Sequence, residues 1–155
     1  MNYRGFTLIE VLVVIAIMGI LTSIAMLNFR DYSNKSEVES QTRKMYSDIM
    51  SLRSKALFEK HDVAIHLTTT GYSLYPSADI NNPYQTTEVK KEITWNDAAK
   101  TNIIFDSRGT SNIEKSICVD SENDATVDSI IVSTTMIKLG KRTGTCDADH
   151  IDAKQ

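Results

Sequence analysis

Apolar positions change their spacing twice along this chain. From Phe6 to Phe29 the only side chains that resist burial are Thr7, Glu10, Thr22, Ser23 and Asn28, and Val11 to Leu21 is apolar apart from Gly19. A helix made of that run has no face for water to wet, so it belongs in a membrane or inside a bundle of its own kind. It would be roughly 36 Å long at 1.5 Å per residue, enough for a hydrocarbon core of about 30 Å. Between Asn28 and Lys60 there is neither Pro nor Gly, so nothing halts the helix there. Val38, Met45, Ile49, Leu52 and Ala56 then recur at helical spacing, while charged residues such as Glu37, Arg43, Asp48 and Arg53 take the other faces. The expectation is one continuous helix from Phe6 to about Glu59, roughly 80 Å long. Its second half packs the stripe under a globular head.

From Asp62 the period becomes two. Val63, Ile65 and Leu67 alternate with Ala64, His66 and Thr68, and Thr70-Gly71 turns the chain into Tyr72 to Tyr75, which predicts a hairpin. Pro76 to Thr87, with Asn81-Asn82-Pro83, predicts a loop. A third strand is expected over Val89 to Trp95 and a fourth over Ile103 to Asp106, ended by Ser107-Arg108-Gly109. Ile117 to Val119 is a short fifth. Ile130 to Ser133 and Met136 to Leu139 read as a closing hairpin that stops at Gly140, and Asp147 to Gln155 as a polar tail. The fold class is α+β: a long N-terminal helix, part transmembrane and part amphipathic, against an antiparallel β-sheet head. The segments are 1–5, 6–29, 30–60 and 61–155.

Composition narrows this. With 155 residues and 41% hydrophobic content, the chain holds one small domain plus a helix. A net charge of −3 argues against a generally basic nucleic-acid surface and leaves only local patches for acidic polymers. Glu10 is the feature that breaks a plain membrane-anchor reading. A carboxylate near a bilayer centre costs on the order of 3 kcal/mol. At an interface it would snorkel to water; deeper, it needs a cation from another subunit. Arg4 is six residues back, not a helical neighbour.

Gly5-Phe6-Thr7-Leu8-Ile9-Glu10-Val11-Leu12, behind a short leader carrying Arg4, closely resembles the class III signal of type IV pilins and type II secretion pseudopilins. The resemblance implies that a prepilin peptidase cuts between Gly5 and Phe6 and methylates the new amine of Phe6. It implies, too, that Glu10 pairs with the Phe6 amine of a neighbouring subunit as a filament grows. An ordinary secretory signal is cut after its apolar region; here that region stays on the mature protein. Residues 1–5 are thus the leader and 6–29 the transmembrane and filament-core helix. Residues 30–60 are an amphipathic helix and 61–155 a periplasmic head, with the positive-inside rule placing the leader in the cytoplasm. Many pilins of this kind carry Pro where this chain has Leu27; without it the helix keeps a backbone hydrogen bond and should be straighter.

The head's order narrows the resemblance. A strand pair around Thr-Gly-Tyr, a strand Ile-Ile-Phe-Asp-Ser-Arg-Gly and a closing strand into Gly-Lys-Arg resemble the GspH/FimT group. That group comprises the minor pseudopilin H of type II secretion and the FimT and FimU minor pilins. It implies a structural subunit that helps initiate or cap a pilus. The alternatives are pseudopilin H of a secretion system and a FimT-like tip pilin that binds DNA. Implied partners are other pilin or pseudopilin subunits, the prepilin peptidase, an inner-membrane assembly platform and the membrane itself. Cys118 and Cys146, the only cysteines, are outside the inner membrane on this reading and most simply form a disulfide; two free thiols are the alternative.

Weaker constellations remain. Lys138, Gly140, Lys141 and Arg142 lie where some FimT-like pilins carry Gly-Arg-x-Arg, and three cations there would give weak, salt-sensitive phosphate contacts. The acidic total charge argues against DNA as a partner. Asp120, Glu122, Asp124 and Asp128 resemble the opening of a calcium loop, but Ala125 stands where an EF-hand needs Gly and no twelfth-position Glu follows. A solvated acidic loop is expected, with no metal and no cofactor. His61, His66 and His150 lack ligand spacing or a nucleophile motif, and no enzyme is expected.

Overall fold

The computed structural model describes residues 6–119 and 124–154, the side chains of 24–28 excepted. It divides into two compact units, Met1–Asn34 and Lys35–Gln155. One helix, α1 (Leu8–Glu59), contributes to both. In the first unit it is the one described element, and its described side chains from Leu8 to Ser33 are exposed.

In the second unit the helical stripe is the centre of the core. Val38, Met45, Ile49, Leu52 and Ala56 are each at most 1% exposed. Thr42 falls on the same line and is buried too; its hydroxyl donates to the Val38 carbonyl at 2.8 Å, so no polar atom is stranded. The helix ends without a glycine. The Lys60 N–H reaches the Ala56 carbonyl at 3.0 Å, and Lys60 itself adopts φ 57°, the left-handed turn that reverses a chain leaving a helix.

Nine strands follow: β1 (Val63–Thr68), β2 (Gly71–Tyr75), β3 (Gln85–Glu88), β4 (Ile93–Trp95), β5 (Asn102–Phe105), β6 (Lys115–Val119), β7 (Ser129–Val132), β8 (Ile137–Arg142) and β9 (Ile151–Lys154). They form two antiparallel sheets, ordered β3-β2-β1-β5 and β4-β6-β7-β8-β9. Ile65, Leu67 and Leu74 from the first sheet and Ile117, Ile130 and Val132 from the second share one hydrophobic cluster with the helical stripe. Long-range polar contacts fasten the loops to the helix. Gln41 accepts the N–H groups of Lys90 and Lys91 at 3.1 and 3.0 Å and donates to the Lys91 carbonyl at 2.6 Å. Arg53 donates to the carbonyls of Gly109 at 2.8 Å and Thr135 at 2.6 Å. The Tyr72 hydroxyl donates to Asp48 at 2.6 Å; burial, then this bond to a carboxylate, pushes its pKa well above the usual phenol value.

Three expectations about the head are corrected. The strand expected over Val89 to Trp95 begins only at Ile93, because residues 89–92 cross to the helix and are pinned there by Gln41. Part of the expected loop is instead β3, paired with β2 from Leu74↔Gln85 to Gly71↔Glu88. At the C-terminus Gly140 does not stop the strand. It lies inside β8, where a Cβ would run into the Ile151 side chain, and the polar tail ends in a further strand, β9, paired Arg142↔Ile151 to Leu139↔Lys154. Glycine is there to let two strands pass closely.

Lys115 is an unexpected member of the interior. It is 2% exposed, and its ammonium donates to the carbonyl of Asp97 at 3.0 Å and to that of Lys100. It also lies 6.0 Å from the Trp95 ring. Burial lowers its pKa. The cation clamps the 97–100 turn over the sheet.

Candidate functional site

The N-terminal stretch of α1 is built to be covered by something other than its own chain. Phe6 is 83% exposed, Leu8 84%, Ile15 64% and Leu21 62%, a contiguous apolar surface far beyond isolated exposed residues. Its polar side chains turn inward to their own backbone. Thr22 donates to the Met18 carbonyl at 2.7 Å and Ser23 to the Gly19 carbonyl at 2.9 Å, leaving the outer surface apolar. A Cβ at Gly19 would meet nothing within 4 Å, so packing inside this chain does not require glycine there.

Glu10 has a local partner that the sequence spacing spells out. Helix α1 begins at Leu8, so Thr7 is the N-cap and Glu10 the third helical residue. The Glu10 N–H donates to the Thr7 hydroxyl at 3.4 Å, and the Thr7 N–H to the Glu10 carboxylate at 3.4 Å. This is a capping box, written in the spacing Thr-x-x-Glu. Both bonds are long and exposed, and among the described residues no cation forms an ion pair with Glu10. The helix N-terminus holds the carboxylate where its dipole favours a negative charge, while leaving it open to a stronger donor. Gly5 lies outside the described residues. Among the described residues no helix is long and apolar enough to cross a membrane.

The structure distributes the head's candidates differently from their order in sequence. Lys141 forms an ion pair with the buried Asp128 carboxylate at 2.8 Å, which also accepts the Arg142 N–H at 2.7 Å and the Ser129 hydroxyl at 2.8 Å. Strand alternation puts Lys138 and Arg142 on one face of β8 and Lys141 on the other, so the three cations do not share a surface. Asp128 is likewise committed away from the acidic run, Asp124 is exposed, and Asp120 and Glu122 lie outside the described residues. No group of metal-ligating side chains forms among the described residues. His66 meets the Asn102 side chain at 2.6 Å and His150 meets Asp147 at 2.6 Å. Cys118 on β6 is joined to Cys146 by a disulfide across 28 residues, tying the segment that leads into β9 to the middle of the second sheet.

Comparison with known proteins falls into the same two parts. Residues 1–26 match the prokaryotic N-terminal methylation motif. Type II secretion system core protein G of Klebsiella michiganensis is 44% identical over 68 residues, covering 44% of this chain and 45% of that protein. Its counterpart from Dickeya chrysanthemi is 41% identical over 66 residues, 43% of this chain and 40% of that one. The chain therefore spans less than half the length of the curated relatives it matches. Crystal structures of the type IV minor pilin FimU of Pseudomonas aeruginosa share the fold, with a TM-score of 0.57 at 16% identity over 71% of this chain and 92% of that chain. A second crystal form gives 0.54 at 17% identity. The fold is pilin-like: a long N-terminal helix packed on antiparallel sheets. The N-terminal segment thus carries the methylation motif, and the chain shares the fold of the FimU minor pilin.

Proposed function

We propose that the chain is a minor type IV pilin of the GspH/FimT type, a non-catalytic subunit that helps to start or cap a filament. The observation that carries this reading is the methylation motif of residues 1–26 on a helix whose apolar surface its own chain leaves bare. On this reading a prepilin peptidase cuts between Gly5 and Phe6, and residues 6–29 hold the protein in the inner membrane with the head in the periplasm. An assembly platform then moves it into the filament. Glu10 there exchanges its long, exposed bond to the Thr7 N–H for an ion pair with the amine of a neighbouring Phe6, whose full positive charge meets the carboxylate. The FimU-like head and its cystine favour a pilus. The identity to core protein G favours the second reading, a minor pseudopilin of a type II secretion system. Mass spectrometry of the mature N-terminus tests the processing both readings share: a chain starting at N-methylated Phe6 is expected, and a native chain retaining Met1 to Gly5 overturns it. Head-specific antibody labelling of sheared surface filaments separates a pilus from a periplasmic pseudopilus.

A further inference from the structure

The head carries an open groove between α1 and the C-terminal strands, about 540 Å³ in volume. Tyr46, Val127, Ile137 and Leu139 give it an apolar floor. Arg43 and Lys154 stand beside it, both exposed, while strand alternation turns the Lys138 side chain to the other face of β8. None of the lining residues is acidic, although the whole chain is net negative. Among the described residues neither Arg43 nor Lys154 forms an ion pair. Glu39 senses the charge of Arg43, but its carboxylate is held by the Thr126 N–H at 2.6 Å. Ala153 and Lys154 of β9 form one wall, and β9 is the end strand of its sheet, paired only with β8.

We propose that this groove docks an extended, acidic polypeptide segment of a partner protein. The complement of two unpaired cations beside an apolar floor is a strand whose carboxylates alternate with apolar side chains. One set of side chains fills the floor while the other meets the rim. The free side of β9 offers backbone groups to such a strand in the manner of β-augmentation. An ordered small anion would meet the cations but not the floor, and a nucleic acid would bring phosphates and flat bases without flexible apolar side chains to fill it. This inference uses the head alone and stands whether or not the chain is a pilin.

The test uses the full chain in detergent micelles and a fluorescein-labelled decapeptide of alternating glutamate and valine, followed by anisotropy. Saturable binding that weakens with salt is expected. Replacing glutamate by glutamine in the peptide, or the pair Arg43→Glu and Lys154→Glu in the protein, should each lower affinity by roughly tenfold or more. Lys100→Glu, a charge reversal outside the groove lining, should leave affinity unchanged. Ala153→Arg adds a cation but obstructs the wall; loss of binding there shows that shape is needed as well as charge. Unchanged thermal midpoints certify the variants. No saturable binding, equal binding of the glutamine peptide, indifference to the reversals, or full displacement by a DNA oligonucleotide at equal charge concentration each overturns the proposal.

Discussion

The two stretches of α1 share a backbone and differ in what stabilises them. In residues 35–59 the stripe of Val38, Met45, Ile49, Leu52 and Ala56 is buried by this chain's own sheets, and the polar faces reach out to the head through Gln41, Asp48 and Arg53. In residues 8–23 apolar side chains surround the helix, every one is exposed, and the few polar groups bond their own turn. A stripe specifies one partner surface; a girdle specifies an environment. The first stretch is completed by the head, whereas the second must be completed by lipid or by other helices.

Substitutions at matched leucines should break this comparison most sharply. Leu52→Ala removes a fully buried side chain and should cost the head about 2 to 5 kcal/mol in denaturant unfolding of the purified chain in micelles. Leu12→Ala should change the same transition by less than about 0.5 kcal/mol. Equal effects would mean that the two stretches are not energetically distinct. Next in size, Cys118→Ser with Cys146→Ser reopens a loop of 28 residues and should destabilise the head by about 3 to 4 kcal/mol in the chain-entropy model. The helicity of the N-terminal stretch should not change.

At the helix end the expected effect is smaller and of opposite sign. Lys60 holds a left-handed φ of 57°, a conformation that costs a non-glycine residue roughly 1 to 2 kcal/mol. Lys60→Gly should therefore raise stability by about 1 kcal/mol, net of the glycine's greater freedom when unfolded; a loss would mean that the lysine side chain does more there than turn the chain. The smallest effect is pH-dependent. Asp106 is held well below the usual carboxylate pKa, first by the Thr110 N–H, then by its hydroxyl and by Arg108. Because the folded value is depressed, its contribution is present above the unfolded value of about 3.9 and is lost as pH falls through the folded one. Asp106→Asn should flatten the acid limb of the stability profile. An unchanged limb would remove Asp106 from the acid response.

Much of this contrast was legible beforehand because it rests on periodicity. The stripe from Val38 to Ala56 repeats at helical spacing, and Val63 to Tyr75 alternates around a turn, so both elements announce themselves. What stayed hidden lacks apolar alternation. β3 reads Gln-Thr-Thr-Glu, a polar edge strand whose only advertisement is the neighbour it pairs with. β9 carries one buried residue, Ile151, and is positioned by a cystine and by the absence of a side chain at Gly140. The break at 89–92 depends on Gln41, about 50 residues away, which no local window registers. The basic run 138–142 looked like one patch because sequence order ignores strand faces and the buried Asp128. The capping box is the opposite case: Thr7 and Glu10 stood at the right spacing, but the cost of an acid in lipid drew attention away from its use at a helix start.

The central claim is that the bare half of α1 is a surface for other subunits and that Glu10 is the group it must match. The most direct measurement is the amount of Glu10→Ala chain in purified filaments, beside the amount in the inner-membrane fraction. The account predicts undiminished membrane insertion with strongly reduced incorporation. Wild-type incorporation of Glu10→Ala would contradict it.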